Sequence, residues 1–428
     1  MKKTKRIARL FLLGALCLGF VSCSDDEKKS DVDNNGVMKS IVDTYIDDVV
    51  FPTYKSLANN AQTLYDACQT LYAKAQAGTL TQKEIDAACE AFKTARRDWE
   101  QSEAFLYGAA ADNEIDPHID SWPLDHKQLQ EALNNKELIA GVKGADAVHY
   151  VYTQNKHFDS VVGFHGLEFV LFRDGKNRTL EAIKAGKETA EGLTSVNTMD
   201  ELAFAAAVSG DLRNMIFLLE YGWLGTKVEA AHSDVLKAAP WLTENMRHKG
   251  LSPKDVSYGD YVRSAKLATG MFSTWQETLK NIFVGGCSNI CQEVATQKLG
   301  QAYRVATGTA SDDDAGDYIE SPYSKRSFID YQDNILSIKN SLYGARNAKE
   351  PVAKSLLSYL KAKNYADFNT LTRALDEAVD ALEKAKNSGK AFIDAPGDPQ
   401  VKTCIEKVQA LDDALNKAGT WVATLTEE

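Results

Sequence analysis

Apolar residues in this chain recur at alternating steps of three and four. Tyr54, Leu57, Ala61, Leu64, Cys68, Leu71 and Ala75 form one such stripe, and Tyr261, Ala265, Ala268, Phe272, Trp275, Leu279 and Ile282 form another. Phe368, Leu371, Leu375 and Leu382 keep the same rule, as do Val401, Val408, Leu411 and Leu415. Each stripe predicts an amphipathic helix with one buried face. Most prolines fall between the stripes, where a helix must stop. No segment alternates with the period of a strand. The expected fold is all-α, with two helical-bundle domains, the C-terminal one resembling a four-helix bundle.

Three regions read as loops: Gly108 to Asp125, Gly250 to Gly259, and Thr307 to Ser327 with its Asp312-Asp313-Asp314 run. The domain boundary is expected in the Gly250 loop, giving domains over 37–250 and 251–428. A chain of 428 residues exceeds what one core usually serves.

The N-terminus departs from the helical pattern. Lys2, Lys3, Lys5, Arg6 and Arg9 precede a short apolar run from Leu10 to Phe20. That run is about half of the twenty residues a spanning helix needs, and it reads as a secretion signal over 1–22. Phe20-Val21-Ser22-Cys23 resembles a lipobox, with Cys23 as the lipidated residue and the membrane as its partner. The polar residues from Cys23 to 36 bury little apolar area and should form a disordered tether. The acidic Asp25-Asp26-Glu27 resembles the surface-export signal of Bacteroidetes lipoproteins. The expected location is the outer membrane, on its outer surface or its periplasmic face. No later apolar run reads as long enough to cross a membrane.

The net charge of −11, with acids and bases interspersed, argues against nucleic acid, which needs a basic face. Beyond Cys17 and Cys23, five cysteines remain: Cys68, Cys89, Cys287, Cys291 and Cys404. Cys68 and Cys89 flank a helix turn at matching height, so either a bridge or a pair of buried thiols fits. Cys287 and Cys291 have no further metal ligands nearby in sequence.

Candidate chemistry gathers in four places. In Gly163-Phe164-His165-Gly166-Leu167-Glu168, a helix would bring His165, Glu168, Phe169 and Phe172 to one face. Two helical glycines cost roughly 1 kcal/mol each, so close packing or a ligand should compensate. A buried histidine satisfied by a nearby carboxylate is the plainer reading of these residues alone. Along the stripe Ile85, Cys89, Phe92, Trp99 and Leu106, the charged Arg96 and Glu103 fall on the core face. Buried charges require partners or a ligand. Asp116 to Asp120 leads into Ser121-Trp122-Pro123, an acidic loop with His118 and His126 close by. Glu320-Ser321-Pro322-Tyr323-Ser324 precedes Ser327 and Asp330, which read as a capping box.

Together these four features resemble the imelysin family. Its G-x-H-x-x-E element is met by Gly163, His165 and Glu168. Its Trp-x-x-x-Glu-x-Phe-x-x-Gly element is met by Trp99, Glu103, Phe105 and Gly108. Ile119, Asp120, Trp122 and Pro123 match its Ile-Asp-x-Trp-Pro element. Glu320, Ser321, Tyr323 and Ser324 match its late block, with Gly344 ending the next helix. The resemblance implies a two-domain helical envelope protein linked to iron uptake, in a family that carries a peptidase label. It also implies a site where the two domains meet, around His165 and Glu168.

Three functions follow as alternatives. The first is a lipoprotein that binds iron, another divalent metal or an iron-containing ligand, and works with an outer-membrane iron-uptake component. Its metal ligands would be His165, Glu168, Glu103 and Asp120, since imidazole and carboxylates suit first-row metals. Trp99, Arg96 and Ser324 complete the expected ligand-binding set. The second is a metallopeptidase, for which His165 and Glu168 supply two of the usual three protein ligands. No complete catalytic motif is present, and no catalytic residue is assigned. The third is a helical scaffold or adhesion protein.

Overall fold

The computed structural model describes residues 34–158, 160–188, 196–244 and 246–426. Cys17, Cys23 and the signal and lipobox readings lie outside them. The described part is almost wholly helical, with two two-residue strand pairs: Phe172–Arg173 with Lys176–Asn177, and Lys187–Glu188 with Val196–Asn197.

The first helical layer combines Phe51–Gln76, Gln82–Glu100 and Thr198–Leu224, with the short Gly163–Leu171 helix packed on it. Its stripe positions Tyr54, Leu57, Ala61, Leu64, Cys68 and Leu71 are buried. Thr198–Leu224 is the central helix. A stretch from Thr198 to Lys227 is long and apolar enough to cross a membrane, which corrects the sequence expectation, but 94% of its most apolar window is buried inside the protein. Its three buried acids are each paired: Glu201 with Arg178 at 2.5 Å, Asp211 with His118 at 2.6 Å, and Glu220 with His232 at 2.7 Å. Such pairing is what lets a core helix carry carboxylates.

The second half forms a four-helix bundle. One line runs from Trp275–Asn281 through a π-helical segment, Ile282–Ser288, to Asn289–Glu293, then through Val294–Lys298 to Gly300–Thr307. Ser327–Tyr343, Phe368–Lys386 and Pro399–Ala423 complete it. The stripe read from Tyr261 to Ile282 is not one helix. Helix Tyr258–Val262 stops, turns occupy 263–274, and a new helix starts at Trp275 behind a capping box of Thr274 and Glu277. Gly270 lies so close to Ser264 that a Cβ would come within 1.9 Å of the Ser264 carbonyl oxygen.

A helix already begins at Asn34, so residues 34–36 are helical rather than part of a tether. The Asn34 side chain explains this: it is buried and donates to the Thr426 carbonyl at 3.2 Å. Asn34–Tyr45 packs on Trp275–Asn281 of the four-helix bundle, while its continuation Phe51–Gln76 packs in the first layer. The two halves also meet through Gln101, which donates to Asp333 at 2.8 Å, and through the Ala104 amide, which donates to the Ser337 hydroxyl at 3.0 Å.

All five cysteines among the described residues are buried free thiols, so Cys68 and Cys89 form no bridge. Burial pushes the Cys68, Cys89 and Cys287 thiols up to about 12.

Candidate functional site: a buried charge cluster beside an apolar cavity

The Gly163–Leu171 helix is buried along its whole length. Gly163 starts it at φ +69°, and a Cβ there would lie 2.1 Å from the Ile119 carbonyl oxygen. At Gly166 a Cβ would lie 1.9 Å from the Val161 carbonyl oxygen. Close backbone packing therefore accounts for both glycines. The result is that His165 rests against the turn that carries Asp120.

His165 Nε2 stands 3.0 Å from Asp120 Oδ1, off the line of a hydrogen bond, and Nδ1 stands 3.6 Å from Glu168 Oε2. The other oxygen of Glu168 accepts from the Ser324 amide at 2.7 Å and the Ser324 hydroxyl at 2.6 Å. Trp99 Nε1 donates to Asp120 Oδ2 at 2.9 Å. Trp99 thus orients the carboxylate.

Arg96 is the hub. Its guanidinium, fully buried, pairs with Asp120, with Glu320 at 2.7 Å, with Glu100 at 2.5 Å and with Asp330 at 3.8 Å. Lys298, also buried, donates to both Glu320 oxygens at 3.0 and 3.2 Å. Burial works against both cations, and the surrounding carboxylates (Asp120 first for Arg96, Glu320 first for Lys298) hold them charged. Burial likewise opposes the Asp120 charge, but Arg96 and then His165 hold its carboxyl well below the usual range. The two cations cannot serve every acid. Burial therefore pushes Glu100 and Asp330 upward despite their contacts with Arg96. Burial opposes the His165 charge as well, and the Asp120 and Glu168 carboxylates overcome it, lifting the imidazole to about 9.

Several expectations need correction. The helix from Gln82 ends at Glu100, so Arg96 meets Glu100 four residues on, while Glu103 lies in a separate 3₁₀ turn, Glu103–Phe105. Glu103 is buried, but it makes no hydrogen bond or ion pair with His165, Glu168 or Asp120. Ser327 is not a cap: it starts the helix and its hydroxyl donates to the Glu320 carbonyl at 2.6 Å, while Asp330 accepts from the Ser321 hydroxyl. His118 pairs with Asp211, away from the cluster, and His126 accepts or donates at 2.7 Å with the Tyr323 hydroxyl. Phe172 lies beyond the helix, at its strand end.

Of the four expected metal ligands, the fold brings His165 and Asp120 together with Glu320. One atom from each of these three lies within 4.8 Å of the other two. Imidazole with two carboxylates is a donor set suited to first-row metals. Within the cluster His165 Nε2, Glu168 Oε2, Glu100 Oε1 and Arg96 Nε make no hydrogen bond. On this chemistry the residues fit a metal ion, on condition that His165 gives up its proton and Arg96 yields part of its hold on Asp120.

Beside His165 opens a cavity of about 420 Å³. Trp122, Leu124 and His126 form one wall; Ile319, Pro322, Tyr323 and Ile393 form the other. The Trp122 ring lies 6.4 Å from the His165 ring and 3.8 Å from Tyr318. The walls come from opposite halves of the molecule, so the site lies where the halves meet.

Residues 50–418, which carry this glycine-started helix, buried His–carboxylate cluster and Trp-Pro loop, match the imelysin family model, and the chain belongs to that family. Among similar proteins is the "Iron-regulated protein A" of Synechococcus elongatus, 32% identical over 136 residues. That likeness spans 32% of this chain and 32% of the relative, about a third of its length. A crystal structure from Parabacteroides distasonis, provisionally titled an iron-regulated protein A precursor, is 25% identical, with a TM-score of 0.71 over 90% of this chain and 95% of that one. An imelysin-like protein from Psychrobacter arcticum shares the fold at 15% identity, with a TM-score of 0.52 over 90% of this chain and 93% of that one.

Proposed function

We propose that this imelysin-family chain is a cell-envelope binding protein that takes up iron, as the ion or in a complex, at the junction around His165. The observation that carries the reading is the grouping of Asp120, His165 and Glu320 within 4.8 Å, with Nε2 of that histidine and Oε2 of the neighbouring Glu168 making no hydrogen bond. Asp120, His165 and Glu320 would hold the metal, with Glu168 steering the imidazole from the Nδ1 side. The names of the relatives, which refer to iron regulation, favour iron over other first-row metals. The envelope location is inferred from the resemblance of residues 1–23 to a secretion signal ending in a lipobox at Cys23, and on that inference an outer-membrane uptake component is the proposed partner.

The test is metal content and affinity of the purified protein, wild type against His165→Ala. Iron bound near one equivalent and lost in the variant supports the reading. An unchanged metal content in the variant, or no uptake by the wild type at pH 6 to 8 of iron offered either as the ion or as a complex, refutes it. A peptide-cleavage assay on the same loaded protein decides whether the family's peptidase label applies.

A further inference from the structure

The binding reading leaves open what fills the cavity, and the following inference rests on that reading. Both oxygens of Asp120 are engaged, one by Arg96 and the other by Trp99. Both oxygens of Glu320 are engaged by Lys298, and one also by Arg96. His165 Nε2 and Glu168 Oε2 make no hydrogen bond there, but each lies against an ion-pair partner, Nε2 3.0 Å from Asp120 Oδ1 and Oε2 3.6 Å from His165 Nδ1. A first-row metal takes about four to six donors. Donors already committed to Arg96, Lys298, Trp99 and one another satisfy one only in part, so the remainder should arrive with the metal.

The cavity points the same way. A bare ion needs no space of 420 Å³ walled by Trp122, Ile319, Pro322, Tyr323 and Ile393. Apolar, aromatic walls with a few polar groups are the signature of an organic ligand, and flat rings pack well on tryptophan and tyrosine faces. The polar groups are two imidazoles, the Tyr323 hydroxyl and, at the exposed rim, the Asp317 carboxylate. His165 lies 2% exposed and lines the cavity. His126 lines it too, with Nε2 on the Tyr323 hydroxyl and a buried Nδ1 that lacks a hydrogen bond. Imidazoles in both positions favour a ligand with adjacent oxygens.

We propose that the cavity holds an aromatic oxygen-donor chelator carrying the ferric ion, its ring against Trp122 and Tyr323 and its oxygens toward His165 and His126. The protein then supplies part of the coordination and all of the apolar seat.

The probe is 2,3-dihydroxybenzoate, offered free and as its ferric and gallium complexes to the full chain, with tryptophan fluorescence and calorimetry as readouts. Bare iron uptake is measured in parallel. Wild-type protein should bind the metal-loaded chelator at least tenfold more tightly than the free one. Trp122→Ala should weaken the complex at least tenfold while bare iron uptake stays unchanged. Trp122 is partly exposed, and Ile393→Glu on the opposite wall provides a second variant should the first unfold. Iron uptake without chelate binding overturns the inference and leaves the binding function standing. Chelate binding untouched by both wall variants overturns it too, as does equal binding of the metal-free chelator. Failure of iron and chelate alike removes the binding function itself.

Discussion

Alanine at Gly163 would bring a methyl group to 2.1 Å from the Ile119 carbonyl oxygen, 2.5 Å from its carbonyl carbon and 2.8 Å from its Cα. All three are backbone atoms, so no flexible side chain can swing away. The shortfall from the 3.0 Å floor of real Cβ contacts is 3.0 − 2.1 = 0.9 Å, and the two chain segments must part by about that much. Two costs add. A left-handed φ of +69° costs a non-glycine residue about 1–2 kcal/mol, and overpacking adds about 1–3 kcal/mol. The expected loss is therefore about 2–5 kcal/mol. Asp120 follows Ile119 directly, so the same movement should lengthen the 3.0 Å approach of His165 to Asp120. Urea unfolding measures the first effect and iron binding the second. Gly389→Ala is the control: its φ is +78° with nothing within 4 Å, so it should lose only the backbone part. A Gly163→Ala protein as stable as wild type within about 0.5 kcal/mol, the usual range for a neutral surface change, would refute the reasoning. So would equal losses in both variants.

Arg96→Met should cost about 3–5 kcal/mol, because it strands several buried carboxylates; urea unfolding at pH 7 measures it. Burial lifts Asp333 from an ordinary 3.8 to about 7 although Gln101 donates to it, so stability should fall as pH rises from about 4 to 7. Asp333→Asn should remove that fall and gain about 1–3 kcal/mol above pH 7, scaled from the value of a pKa unit, with no gain near pH 3. His165 is lifted from 6.5 to about 9, so its contribution is complete below pH 6.5 and is lost as pH rises through 9. Unfolding midpoints at pH 6, 8 and 10 should fall more in wild type than in His165→Ala.

The helices that hold the core are legible because their stripes run unbroken over several turns: Phe51–Gln76, Phe368–Lys386 and Pro399–Ala423 follow the spacing of Leu57, Leu371 and Leu411. The break at 263–274 escaped the same test, since Ala265 and Trp275 are buried and keep helical spacing across a turn. The signal that locates it is Thr274 three residues before Glu277, a capping pattern present in the chain. At the site, Arg96 on an apolar stripe announced a buried charge. Lys298 meets the same criterion, following Ile290 and Val294 at steps of four, yet it was missed for want of a partner nearby in sequence; Glu320 is 22 residues away. Glu100 was missed because the helix end at Gln101 has no strong stop signal, which shifted attention to Glu103. Which carboxylates converge on Arg96 depends on a fold that brings residues 96, 120, 320 and 330 together, and no local spacing encodes that.

The cavity walls belong to different halves of the molecule: Trp122, His126 and His165 on one side, Ile319, Tyr323 and Ile393 on the other. A ligand seated there acts as a wedge of glue whose binding energy is spent on keeping the halves docked. By mass action, ligand at one hundred times its dissociation constant adds about 2.7 kcal/mol to the docked state. Linkage is reciprocal: whatever pries the halves apart must loosen a ligand bound between them by the same factor.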